Sequence, residues 1–261
     1  MPWWDRTVRG LTYPPLEGRV SSFSKRQSPD VFDITPTEWT AILLSLRVAI
    51  VATLVATPIG IALAWLLARR NFWGKSFVDA LVHLPLVLPP VVTGYLLLLT
   101  FGRRGPAGAW LADHLGIVFA FRWTGAALAC GVMAFPLLVR PIRLSIEAVD
   151  RHLEQAAETL GAPPWRVFLN VTLPLSLPGV LAGMVLGFAK AIGEFGATIT
   201  FVSNIPGETQ TISSAIYSLI QTPDGDAAAL RLVVVSTAIA FAALIASEWF
   251  ARRATQRLHG N

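Results

Sequence analysis

Cysteine is almost missing from these 261 residues: Cys130 stands alone, inside an apolar run. One thiol closes no disulfide framework. With four scattered histidines (His83, His114, His152, His259) it fits no Cys/His metal spacing. Charge is scarce as well. Asp, Glu, Lys and Arg make up 14% of the chain and hydrophobic residues 54%, whereas soluble domains carry about a quarter charged residues. Composition therefore excludes an ordinary soluble domain and indicates an integral membrane protein. No G-x-x-x-x-G-K-[ST] loop occurs, so the chain has no phosphate cradle of its own for ATP. No Ser/His, Asp/Asp or His-Glu-x-x-His set lies in the apolar runs, which speaks against an intramembrane enzyme. No metal and no cofactor are expected. The net charge is +5, but no basic stripe with interleaved aromatics appears, so nucleic acid is not an expected partner.

What the chain does have is long apolar runs. Five approach the roughly 20 residues needed to cross a bilayer: Trp39–Leu67, Val78–Phe101, Trp123–Leu144, Leu175–Val202 and Leu232–Phe250. Unpaired backbone groups are costly in hydrocarbon, so such spans are read as helices, and no β-barrel alternation is present. The expected fold class is all-α integral membrane with about five transmembrane helices. Lys and Arg in the connections set the orientation. One side carries Arg69, Arg70, Lys75, Arg140, Arg143, Arg151, Arg166, Arg252, Arg253 and Arg257; the other carries Arg103, Arg104, Arg122 and Arg231. The first group is placed in the cytoplasm, with the N-terminus outside and the C-terminus inside. Residues 1–36 are polar, Pro-rich and without an apolar h-region, so they read as a disordered extension rather than a signal peptide. The membrane domain is then 37–254, with 255–261 as a cytoplasmic tail.

Several residues within the spans are expensive there. "HLPLVLPPVVTG" (83–94) has Pro85, Pro89 and Pro90 in one span, so that helix must kink, with Thr93 and Gly94 beside the freed carbonyls; it reads either as a packing kink or as a broken helix lining a transport path. Lys190 and Glu194 sit deep in the fourth span, each at a cost of roughly 2.5–3.5 kcal/mol on insertion scales. They are four residues apart and can pair on one helix face. Gly193, Phe195 and Gly196 surround them, with glycines allowing close approach or local unwinding. Two readings stand: a structural ion pair, or a pair facing a polar path. Arg47, two turns into the first span, is a third candidate for that path. In the outer segment 203–226, Ile212, Ile216 and Leu219 fall at helical spacing; residues 102–123 read as a second outer loop.

The connection 147–174 is too polar for lipid and too regular for a random loop. "EAVDRHLEQAAETLG" favours helix, with a small-residue face from Ala148, Leu153, Ala156, Ala157 and Leu160. Gly161 suits a helix stop, and Pro163 and Pro164 suit a restart. The expectation is a rigid helix-turn-helix on the cytoplasmic face, with a surface that lets a partner come close.

This stretch resembles the signature of ABC importer permeases, EAA-x3-G-x9-I-x-L-P. Here it stands as Gln155, Ala156, Ala157, then Gly161, then Val171, Thr172, Leu173, Pro174, with Glu154 adjacent to the changed first position. "GEFGATITFVSNIPGET" (193–209) and "HLPLVLPPVVTGYLLLLTFGRRG" (83–105) look like the molybdate branch of that family; sulfate/thiosulfate permeases share part of the first element. The resemblance implies a type I ABC importer permease fold in the inner membrane. It further implies a homodimer of this chain, two cytoplasmic ABC ATPase subunits and a periplasmic molybdate-binding protein. Glu154, Gln155, Ala156, Ala157, Gly161, Val171, Leu173 and Pro174 would couple to the ATPase as a coupling helix. The cargo that the resemblance implies is molybdate or tungstate, with sulfate/thiosulfate as the alternative.

Overall fold

Local chemistry starts the first helix three residues earlier than hydropathy does. Thr35 accepts the N–H of Glu38 while the Glu38 carboxylate accepts the N–H of Thr35, and Pro36 fills the first turn. The computed structural model describes residues 34–259; the polar extension, up to residue 33, and the last two residues lie outside the described residues. From this capping box α1 (Pro36–Arg69) runs 34 residues. Its uncharged stretch 48–68 is bounded by Arg47 and Arg69, 22 residues apart, or about 33 Å of helix, close to the hydrocarbon thickness of a bilayer. The face at the Glu38 end of α1 is called the Glu38 face; the opposite one is the Arg69 face.

Of the two readings of the second span, a kinked helix and a broken one, the structure shows the broken one. α2 (Lys75–Val87) and α3 (Pro90–Phe101) change direction by 116° across Leu88 and Pro89. Two successive prolines remove donors and hold the preceding residue extended, so no helical hydrogen bond bridges the gap. After α3, the segment expected as a loop contains α4 (Pro106–Leu115), stopped by Gly116 at φ +66°. α5 (Trp123–Ala148) follows, then α6 (Arg151–Thr159) and α7 (Pro164–Val167), a π-turn over Phe168–Thr172, and α8 (Leu173–Leu175). The chain bends by 69° at Ser176 into α9 (Leu177–Ile192). The fourth span, expected to continue to Val202, breaks at Gly193, and α10 (Gly196–Val202) is a separate short helix. α11 (Ile212–Leu219) is the expected amphipathic helix, with Ile212 buried. α12 (Asp226–His259) closes the chain. Among the described residues three helices are long and apolar enough to cross a membrane, or up to five if each bent pair counts as one span.

α5 is the centre, packed along both α1 and α9. Small residues permit this. Ala49, Ala52, Ala56, Gly60 and Ala64 line the buried stripe of α1, and a Cβ on Gly60 would meet Leu138 at 2.3 Å. From α9, Gly179 and Gly183 bring their backbone against Pro141 O and Leu138 O. Without a hydrophobic drive between helices in lipid, such close contact supplies the association. At the Glu38 face, Arg231 of α12 pairs with Glu38 at 2.8 Å, both side chains nearly buried, which ties the first and last helices together.

Candidate functional site

Two places concentrate chemistry. On the Arg69 face, α6 to α8 form the helix-turn-helix read from the sequence, with shifted borders. Residues 147–148 belong to α5, and α6 starts at Arg151 because Asp150 caps it, accepting the N–H of His152. Gly161 stops α6 at φ +86°. Gly161 N–H reaches Glu158 O and Ala162 N–H reaches Ala157 O, the two bonds of a Schellman turn. Pro163 and Pro164 restart the chain into α7, and widening over Phe168–Thr172 accommodates Pro174, which has no N–H to give.

This protrusion exposes an apolar tip. Leu160 is 88% exposed, and Leu153, Trp165 and Leu169 are exposed beside it. Gln155 and Ala156 are exposed too, while Ala157, Val171, Leu173 and Pro174 are half-buried. Glu154 points the other way. Its Oε1 accepts from Thr172 Oγ1 at 2.5 Å and pairs with Arg69 at 3.0 Å. The same guanidinium donates to Val149 O at 3.0 Å. One buried arginine thus holds the end of α1, the α5–α6 junction and the lead-in to α9. The sequence reading counted Arg69 only as a topology charge and Thr172 only as a spacer. Their partners lie 80 or more and 18 residues away, and no local pattern marks such a bond.

The second place is the pair of broken spans. α3 packs on α10 at glycine contacts: a Cβ on Gly94 would lie 2.5 Å from Ala197 O, and one on Gly196 would lie 2.7 Å from Pro90 Cβ. Thr93 is buried there, its hydroxyl without a hydrogen-bond partner among the described residues. Breaking a helix in hydrocarbon frees carbonyls, and two of them at the end of α9 find side-chain donors: Cys130 Sγ reaches Ala191 O, and Ser213 Oγ donates to Ile192 O. Lys190 and Glu194 do pair, Nζ to Oε2 at 2.7 Å, although Glu194 lies past the end of α9 rather than on its face. Glu194 Oε1 also accepts the N–H of Ala197 at 3.0 Å, capping α10. Glu194 is 1% exposed, whereas the Lys190 side chain is 29% exposed. Phe195 rests on Tyr217, ring centroids 4.9 Å apart.

Pro90 and Gly94 of α3 therefore meet Gly196 and Ala197 of α10, with Thr93 next to Gly94 in the chain and Lys190, Gly193, Glu194 and Phe195 leading into α10. Arg47 does not join them. Its guanidinium lies 3.7 Å over the Trp123 ring on an exposed side of α1, 22 residues before Arg69. Among the described residues no group of His, Cys, Asp and Glu could hold a metal ion.

With this geometry in hand, residues 56–256 match the family model described as "Binding-protein-dependent transport system inner membrane component". The molybdenum transport system permease protein of Escherichia coli K12 is 60% identical over 224 residues, 86% of this chain and 98% of that one. Its counterpart in Haemophilus influenzae is 57% identical, covering 85% and 96%. Among solved structures, a bacterial alginate ABC transporter in complex with its alginate-bound periplasmic protein shares the fold, with a TM-score of 0.68 at 18% identity over 85% of this chain and 81% of that one. The chain belongs to the family of binding-protein-dependent transport system inner membrane components.

Proposed function

We propose that this chain is the permease of a molybdate importer, working as a homodimer with two ATPase subunits on the Arg69 face and a periplasmic oxyanion-binding protein on the Glu38 face. The observation that carries the transport reading is a rigid, apolar-tipped lever on a chain with no phosphate loop of its own. The 60% identity to a molybdenum permease supports the cargo. The membrane domain would run from 37 to 254, with the Arg69 face and the C-terminal tail in the cytoplasm and the N-terminus outside. ATP closes the partner ATPases, the lever moves with them, and α9 and α1 move with the lever. The path lies at the broken spans, along Thr93, Lys190, Gly193, Glu194, Phe195 and Gly196. Lys190 offers a cation to a passing oxyanion, and Glu194 keeps that cation from trapping it.

The reading is tested by uptake into proteoliposomes holding the chain, its ATPase partner and its binding protein. Labelled molybdate is expected to enter only with ATP, and excess sulfate to leave its uptake unchanged. Competition by equimolar sulfate would move the cargo to the sulfate/thiosulfate alternative, and uptake by this chain alone would overturn the importer.

Gly161 gives a second test. No atom lies within 4 Å of a Cβ built there, so a substitution meets only the cost of its left-handed backbone, about 1–2 kcal/mol. Gly161→Val is expected to leave the chain inserted and the ATPase active while uptake falls about tenfold, because the turn orients the apolar tip. Wild-type uptake by this variant would refute the coupling role.

A further inference from the structure

α1, α2 and α5 do not close on one another. Between them runs a groove of about 670 Å³ lined almost wholly by apolar side chains, among them Val51, Ile59, Leu63, Val82, Gly131 and Phe135. Along α1 it extends from Val51 to Leu63, about 18 Å at the rise of a helix, slightly more than one leaflet's half of the roughly 30 Å hydrocarbon core. Its mouth is marked. Trp123 lines the end on the Glu38 side, and Arg47, one turn before Val51, lies over that ring with its charge exposed. Among the described residues Arg47 meets no carboxylate and no hydrogen-bond acceptor. A cation that stacks on Trp123 but has no anionic partner, one turn from the end of an apolar slot of leaflet depth and about 33 Å of helix from Arg69, matches one class of molecule.

We propose that this groove binds a single membrane phospholipid, its phosphodiester on Arg47 and one acyl chain between α1, α2 and α5. Charge favours a phospholipid over a helix from a second copy: the exposed Arg47 guanidinium at the mouth complements a phosphodiester, and the wall below it is apolar enough for an acyl chain. The occupant bears on function, because α2 is otherwise weakly held. Val82 is the one buried residue of α2, and Asp79 pairs with Arg143 of α5 at 2.7 Å. A chain seated against Leu81 and Val82 sets the position of α2, hence of the Pro89 break that follows it.

The test uses the full permease with its ATPase partner in phosphatidylethanolamine/phosphatidylglycerol vesicles containing a phospholipid with a photoreactive acyl chain. Labelling is expected to concentrate on the peptides holding Val55, Leu81 and Val132. Exposed lipid-facing residues of α12 such as Phe241 and Leu244 give the background for general lipid contact. Arg47→Gln is expected to lower groove labelling about fivefold, the worth of one basic residue at a phosphate surface, and Arg47→Lys to restore most of it. Gly131→Leu, filling the groove from its wall, lowers the same labelling with Arg47 intact and so serves if the Arg47 variants fail to fold. Groove labelling no higher than that of α12, or unaffected by both variants, overturns the site. So does a disulfide between copies formed through Val55→Cys in a cysteine-free background, which would show a second copy's helix in the groove. Either result leaves the importer reading intact, because that rests on ATP-driven uptake.

Discussion

Replacing Arg69 by methionine is expected to separate ATP hydrolysis from uptake. The side chain is 9% exposed and that of its partner Glu154 is 15% exposed. Removing one member of a buried pair strands the other, at a cost of about 3–5 kcal/mol. The lower end suffices: roughly 3 kcal/mol is about a hundredfold in the population of the clamped lever. The carboxylate keeps only Thr172, and Val149 O loses its donor. α6 remains folded, since Asp150 and Gly161 still cap it, but it is no longer fixed to α1. ATP hydrolysis by the partner continues while uptake per ATP falls by one to two orders of magnitude. The measurement is the ratio of labelled oxyanion imported to phosphate released. A purely structural role is separated from a transmitting one by the double variant Arg69→Met/Glu154→Met. It removes both charges and so recovers thermal stability, yet its coupling ratio stays low. Recovery of the ratio together with stability would reduce Arg69 to a fold contact, and a normal ratio in Arg69→Met would remove it from the mechanism.

Why some of this was legible and some was not follows from sequence distance. Gly161 could be read because its requirement is local: a helix must end, the next residue takes positive φ, and glycine does so without strain. The breaks could not be placed equally well. Pro89 and Pro90 announce an interruption, but proline chemistry leaves a kink and a full break both open, and the observed 116° change of direction depends on α3 finding α10. At Gly193 hydropathy misleads, since the apolar run continues through Ala197 to Val202 and reads as one span. The helix ends there because Cys130 and Ser213 satisfy the carbonyls and Glu194 takes the next N–H. Two of those partners lie 61 and 21 residues away. The capping box Thr35–Glu38 is equally local, but hydropathy passes over a Thr-x-x-Glu spacing, and so the start of α1 at Pro36 comes three residues before the apolar run.

The contact between the two broken spans yields the other large effect. Gly94→Val would place a Cβ 2.5 Å from Ala197 O and 2.9 Å from Ala197 Cα, and both are backbone atoms that cannot rotate aside. A Thr200 Cβ at 3.0 Å closes the third direction. α3 and α10 must therefore move apart, beyond the 1–3 kcal/mol or so of ordinary overpacking, because here main chain opposes main chain. Displacing Ala197 pulls its N–H from Glu194 Oε1, so the ion pair with Lys190 is disturbed along with the packing. The expected result is a chain that still inserts, since its apolar spans are unchanged, but that melts several degrees lower and imports nothing measurable. Gly94→Ala should fall between, as its single methyl meets the same carbonyl without the branches. Thermal unfolding of the purified complex and uptake by proteoliposomes supply the two readouts. A valine variant with wild-type melting would show that α3 and α10 are not locked at this contact. A destabilised variant that still transports would show that the lock serves the fold and that the path runs elsewhere.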